Sequence, residues 1–196
     1  MSVAFTLATT GAVADDLVAL NARVLPGMTR RDHAAWVMNV LAHVVGPVLA
    51  RWDAEGRSLA AVGGEDVALV ARVVPEGRVD FEIAATAPPV TAPVTAPAAA
   101  IAVARLFAPS VNALAYGGPL APRALWRIAG DGLAWGWMQA GRPDRARDVL
   151  GRYGAPFANR QLQVAADRVA RRGGCCRYLS VSGETCANCP LRKDAA

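Results

Sequence analysis

The residues best suited to chemistry are four cysteines near the C-terminal end. Cys175 and Cys176 are adjacent, nine residues separate them from Cys186, and Cys189 follows at Cys-x-x-Cys spacing before Pro190. They are the only cysteines in the chain. A Cys-x-x-Cys turn points two sulfurs the same way, and nearby glycines let backbone N–H groups approach sulfur, so this quartet can close on one small metal centre. Structural zinc is usually held by two separated knuckles, and adjacent cysteines are an awkward pair to place on one tetrahedral ion. A two-iron cluster offers separate metal atoms to its thiolates, so the spacing favours iron and sulfur. His33 and His43 lie ten positions apart with no carboxylate at helical spacing, and read as ordinary helix residues.

The 196-residue chain is long enough to bury a core without disulfide staples, and 54% of it is apolar against 19% charged. Met1 to Asp16 has no basic segment followed by a long apolar one, so a cytoplasmic protein is expected, in which clustered cysteines serve metals or redox chemistry. The most apolar stretch, Ala34 to Ala50, is interrupted by Asn39, His43 and Gly46-Pro47. It is shorter than the roughly 20 residues that span a bilayer, and reads as a core helix rather than a membrane segment. The net charge of +5 is uneven: residues 142–196 carry 11 Lys plus Arg against 5 Asp plus Glu, a net +6, which leaves residues 1–141 at −1. A basic half that also holds the cysteines suits an anionic ligand or an acidic electron donor.

The elements that must position the cysteines follow from periodicity. A short helix is expected over residues 14–24, with Asp15 and Asp16 in its first turn and Pro26-Gly27 as its stop. Thr29-Arg30-Arg31-Asp32 has the form of a capping box, opening a helix with Val37, Val40, Leu41, Val44 and Val48 on one stripe and a kink or break at Pro47. Val79, Phe81 and Ile83 alternate with Asp80 and Glu82, which predicts a hairpin of strands 67–74 and 78–83. The proline-rich segment 86–97 is expected to be an extended connector between an N-terminal region, 1–85, and a C-terminal region, 98–196. Helices are expected at 98–107 and at 122–139, where Trp126, Ala129, Leu133 and Trp137 share a face and Gly130, Gly132 and Gly136 allow close approach. Pro143 opens a short helix ended by Gly151, and a last helix over 158–172, burying Leu162, Ala165 and Val169, should stop at Gly173-Gly174 and carry the cysteine loop. The expected fold class is α+β: mostly helical, with a small antiparallel hairpin or sheet and a C-terminal cysteine-rich loop.

The tail resembles the bacterial ferric-siderophore reductases of the FhuF type, cytoplasmic proteins whose C-terminal 2Fe-2S cluster is held by Cys-Cys, ten residues, Cys-x-x-Cys. The resemblance falls on Cys175, Cys176, Cys186 and Cys189, with Tyr178 in the aromatic position after the pair and Gly183 in the turn. Arg123-Ala124-Leu125-Trp126 is similar to the Arg-x-Leu-Trp stretch that opens a helix in that family. The chain departs from the pattern in having nine intervening residues and in lacking a run of glycines over Ser180 to Thr185.

The resemblance implies a 2Fe-2S cofactor on the four cysteines, a ferric siderophore as substrate, a separate electron donor, and one-electron reduction of Fe(III) with release of Fe(II). No nucleophile or acid–base pair is then needed. Arg123, Arg127 and Arg177, with Arg160 and Arg168, are candidates to steer an anionic complex or donor; Trp126, Trp135 and Trp137 are candidates either for a substrate shelf or for the core. Two other classes share the cysteines: a 2Fe-2S electron carrier or redox sensor, which does not need so large an N-terminal part, and a zinc-stabilised nucleic-acid-binding domain, which lacks here both basic–aromatic interleaving and a recognition helix.

Overall fold

The structure is a computed structural model, and it describes residues 2–90, 96–116, 120–147, 156–157, 159 and 161–192. It is a mainly helical α+β fold. A three-stranded antiparallel sheet has the order β1 (Ser2–Thr6), β2 (Val67–Val74), β3 (Arg78–Ala85). The hairpin lies where the alternation puts it, turning at Gly77, whose φ of 71° is in the left-handed region. Strand β1 is additional. It pairs Ser2 with Arg72 through to Thr6 with Ala68 and brings Phe5 edge-on to Phe81, ring centroids 6.3 Å apart.

Helix α1 spans Thr10–Val24, starting a turn earlier than expected, so Asp15 and Asp16 lie within it rather than in its first turn. Helix α2 spans Arg30–Ala54 without a break. Its capping box forms as read: the Thr29 side chain accepts from the Asp32 N–H, and the Asp32 carboxylate accepts from the Thr29 N–H. Pro47 does not divide the helix, because packing against helix α4 (Pro122–Gln139) holds both sides of it. A methyl on Gly136 would come 2.3 Å from the Gly46 carbonyl carbon and 2.8 Å from Pro47 N, and one on Gly132 would come 2.5 Å from Ala42. Backbone-to-backbone contact of this closeness is possible only without Cβ atoms. Gly130 plays no such part; a Cβ there meets only the Phe157 carbonyl at 3.6 Å.

The apolar face of α2 is wider than the expected stripe. Ala34, Ala35, Met38, Ala42, Val45 and Leu49 are buried with Val37, Leu41 and Val48, while Val40 and Val44 are half-buried. Helix α3 spans Ala96–Tyr116, longer than expected. Both α2 and α3 are long and apolar enough to cross a membrane by length and composition; α2 spends that surface on the core, whereas α3 leaves Ile101 and Tyr116 exposed. Of the proline-rich segment, residues 91–95 lie outside the described residues. The part before them is tied down, with the Pro88 carbonyl accepting from Arg57 at 2.9 Å and Val90 bridging to Arg57. One contiguous buried cluster runs from Val3 to Val169 and takes side chains from both sides of the segment.

The expected helix over 158–172 is absent among the described residues. In its place β4 (Gln163–Val164) pairs antiparallel with β5 (Val169–Arg171) around a bend at 166–168. The apolar positions 162, 165 and 169 fit helical spacing, but Leu162 and Val164 with Val169 and Arg171 also fit a two-residue alternation. Tertiary pairing decides for the strands, since the Asn188 side chain donates to the Val169 carbonyl and Arg172 N–H donates to the Asn188 carbonyl at 2.9 Å. The cysteine loop therefore hangs from a strand and folds back beside it. Residues 143–147 form the start of the short helix opened by Pro143; its expected end at Gly151 lies outside the described residues.

Candidate functional site

Helices α2 and α4 press backbone to backbone at Gly46, Gly132 and Gly136, and the cysteine loop lies against both helices. From α2, Trp36, Asn39 and His43, spaced three and four apart, share one face; from α4 come Asp131 and Trp135. With the loop they enclose a cavity of about 340 Å³ that all four cysteines line.

The four cysteines are free thiols in graded environments. Cys189 and Cys176 are buried, Cys175 is half-buried, and Cys186 is exposed at the rim. The Cys-x-x-Cys turn closes through the Cys189 N–H, which donates to the Cys186 carbonyl at 3.0 Å. Burial pushes the Cys175 thiol up to about 11, with the neighbouring Cys189 and Cys176 sulfurs adding to the rise and the Arg177 N–H opposing it. Cys186 is raised too, by burial and by the same two neighbours. Among the described residues, no three His, Cys, Asp or Glu side chains converge on the position of a single ion.

Asp131 is the anchor of the loop. It is 1% exposed, on the buried face of α4, and its carboxylate accepts from the Gly173 N–H at 2.7 Å, the Gly174 N–H at 2.9 Å and Arg172 Nε at 3.3 Å. Burial raises its carboxyl to about 6 against the pull of Arg172 and the two amides. Gly173 and Gly174 are thus neither a helix stop nor donors to sulfur. They are glycines because the loop presses onto its neighbours: a Cβ on Gly174 would sit 2.8 Å from the Ile128 N, and one on Gly173 would overlap the Asn159 side chain. Arg172 extends past Asp131 to the Asn39 side chain, linking the loop to both helices.

His43 donates from Nδ1 to the Asn39 carbonyl at 2.8 Å, which fixes the tautomer; burial and the charge of Arg172 lower its pKa to about 4, so it is neutral at pH 7. Trp36 stacks on Tyr178 with centroids 5.0 Å apart and 28° between planes, and Trp135, exposed on α4, lies tilted against His43. The cavity is walled by aromatic faces on one side and sulfur on the other.

No protein-family model, curated protein or solved structure matches the chain.

The arginines read from the sequence fall in different places. Arg123 is exposed on the first turn of α4, Arg127 donates to Gln161 at 3.1 Å, and neither lines the cavity. Arg177 lies in the cysteine loop with its guanidinium on Asp32 at 2.7 Å. Arg168 is exposed beside Asp167, and Arg160 lies outside the described residues. Of the tryptophans, Trp137 is core and donates to Asp53 at 3.1 Å, Trp126 packs edge-on to Phe157, and Trp135 reaches the cavity. Trp36, Asn39, Asp131 and Arg172 carry no functional expectation from the sequence, and His43, expected to be an ordinary helix residue, lines the cavity with them. A lone Asp amid apolar helix residues is the signal that could have found Asp131, because an unpaired carboxylate is almost never buried.

Proposed function

We propose that the chain is a ferric-siderophore reductase, carrying a 2Fe-2S centre on Cys175, Cys176, Cys186 and Cys189 and reducing siderophore-bound Fe(III) to Fe(II) by one electron. The observation that supports it is the gathering of four free thiols around a single aromatic-walled cavity that opens to solvent at Cys186. The four thiols line one cavity, as ligands of a single centre would, and the adjacent Cys175 and Cys176 are an awkward pair to place on one tetrahedral zinc, which favours a two-iron centre. The resemblance of the tail to the reductase family adds the substrate class.

When bound, such a centre supplies one-electron redox chemistry at a potential set by its surroundings. The chain's own residues do the rest. Asp131, Arg172 and Asn39 fix the loop against α4 and α2, so that the two buried cysteines sit behind the exposed one. Trp36 with Tyr178, and Trp135 with His43, offer apolar faces against which the organic shell of a chelate can rest, and the neutral His43 adds no charge there. Hydroxamate and catecholate oxygens are hard donors that hold Fe(III) far better than Fe(II), so a single electron loosens the complex. No acid–base pair or nucleophile is required.

The test is anaerobic: dithionite-reduced protein, freed of excess reductant, is mixed with ferric hydroxamate, catecholate or citrate complexes in the presence of a ferrous chelator. Stoichiometric reoxidation with Fe(II) captured is the expected result. A reduced protein that ignores every class of ferric complex while passing electrons to a protein acceptor contradicts the proposal and makes the chain a carrier.

A further inference from the structure

Arg177 is the only non-glycine residue with positive φ among the described residues, at 65°. L-residues occupy the left-handed region at a steric cost and keep it where surrounding contacts over-determine it. Here the contact is Asp32. This carboxylate, 3% exposed, accepts from Arg177 Nε at 2.7 Å while also closing the capping box with Thr29. Burial alone raises its carboxyl, but Arg177 and Thr29 overcome that and hold it below the usual carboxylate range. One turn further along α2, Trp36 stacks on Tyr178, so two consecutive loop residues are gripped by one helix face. Between the cysteine pair and these grips, the Arg177 backbone N–H lies 3.4 Å from Cys175 Sγ.

We propose that Asp32 is a positioning residue for the metal centre: by gripping the Arg177 guanidinium it holds the Arg177 N–H on Cys175 Sγ, and that N–H···S bond raises the centre's reduction potential. A hydrogen bond to a thiolate ligand favours the more negative, reduced state, and such bonds are among the groups that set iron–sulfur potentials. The inference rests on the reading that the four cysteines carry an iron–sulfur centre. Its sign separates it from simple electrostatics. Removing the negative charge of Asp32 by itself raises the potential, whereas releasing the N–H lowers it.

The experiment uses the full chain and four variants: Asp32→Asn, Arg177→Gly, the double variant, and Thr29→Ala, which breaks the cap but not the Arg177 grip. Potentials are measured by redox titration followed by electron paramagnetic resonance, with iron and sulfide assayed in each. Asp32→Asn is expected to lower the reduced-to-oxidised ratio at fixed ambient potential about tenfold, about 59 mV for one electron. Arg177→Gly, in which glycine accepts the same backbone conformation, should lower it similarly, and the double variant should go no further. Thr29→Ala should lower stability and leave the potential unchanged.

In the metal-free chain, hydrogen exchange at the Arg177 amide should quicken in Asp32→Asn and not in Thr29→Ala. A rise or no change in potential for Asp32→Asn, with iron and sulfide retained, overturns the proposal. Should that variant lose its iron, unchanged exchange at the Arg177 amide overturns it instead. A wild-type chain that binds no iron or sulfide overturns both this proposal and the metal reading. A centre whose potential shifts as expected but reduces no ferric complex leaves this inference standing and removes only the siderophore assignment.

Discussion

Asp131→Asn is the substitution whose cost follows most directly from the site. The shape is preserved, but one acceptor oxygen becomes an NH2. Keeping oxygen towards the Gly174 N–H and Arg172 sets the new NH2 against the Gly173 N–H, 2.7 Å from the native oxygen; the flipped amide sets it against the other two donors. At least one charge-assisted hydrogen bond is lost, about 1.5–3 kcal/mol. Arg172, 9% exposed, also loses the carboxylate it faces, and breaking a buried ion pair costs about 3–5 kcal/mol in proteins generally. Its remaining bond to Asn39 softens that loss, as does relief of the desolvation that raises the Asp131 carboxyl to about 6. The expected cost at pH 7 is therefore about 2–4 kcal/mol, read as a lower urea midpoint with an unchanged slope. A cycle with Arg172→Met should give a coupling of at least about 1 kcal/mol, the double variant being less destabilised than the sum. A cost under about 0.5 kcal/mol, or additivity within about 0.5 kcal/mol, would refute the anchoring role of Asp131.

Gly136→Ala should destabilise by about 1–3 kcal/mol or more, because its methyl would press on the α2 backbone at 2.3 Å and not on a yielding side chain; thermal unfolding with a native-like midpoint would argue against the close helix crossing. Asp53 is pushed up by burial but pulled further down by Arg145, at 3.0 Å from both carboxylate oxygens, and by Trp137, so its folded pKa is below the unfolded value of 3.8. The stability it contributes is present above pH 3.8 and is lost as pH falls through the folded value, so Asp53→Asn should flatten the acid limb of a stability–pH profile and a parallel limb would remove this assignment. Cys186→Ser should perturb or abolish the visible spectrum of the metal-loaded chain, oxygen being a poorer partner than thiolate for iron in such a centre; a wild-type spectrum would exclude Cys186 as a ligand.

Local signals were legible where local physics decides. The Thr29–Asp32 box, the 79–81–83 alternation and the face of α4 each predict an element that forms. Strand β1 carries too few residues to declare a period, and it exists because the β2 edge accepts it. Over 158–172 three apolar residues cannot separate a period of 3.6 from one of 2, and pairing with the cysteine loop makes the choice for strands. For the site, the cysteine spacing identified the sulfur side of the cavity. Its other walls came from partners far apart in sequence: Asp131 with Gly173 and Gly174 some forty residues on, and Asp32 with Arg177 at a separation of 145. Contacts at that distance leave no periodic trace, and Trp36, Asn39 and His43 resemble any other half-polar helix face until the loop covers them.

The central claim, that the four cysteines jointly hold a two-iron redox centre, is tested most directly by iron and acid-labile sulfide analysis of aerobically purified full-length protein, with its absorbance spectrum. About two irons and two sulfides per chain, in a reddish-brown protein bleached by dithionite, is the predicted result. Colourless protein with stoichiometric zinc and neither iron nor labile sulfide, purified from iron-replete cells, would contradict it.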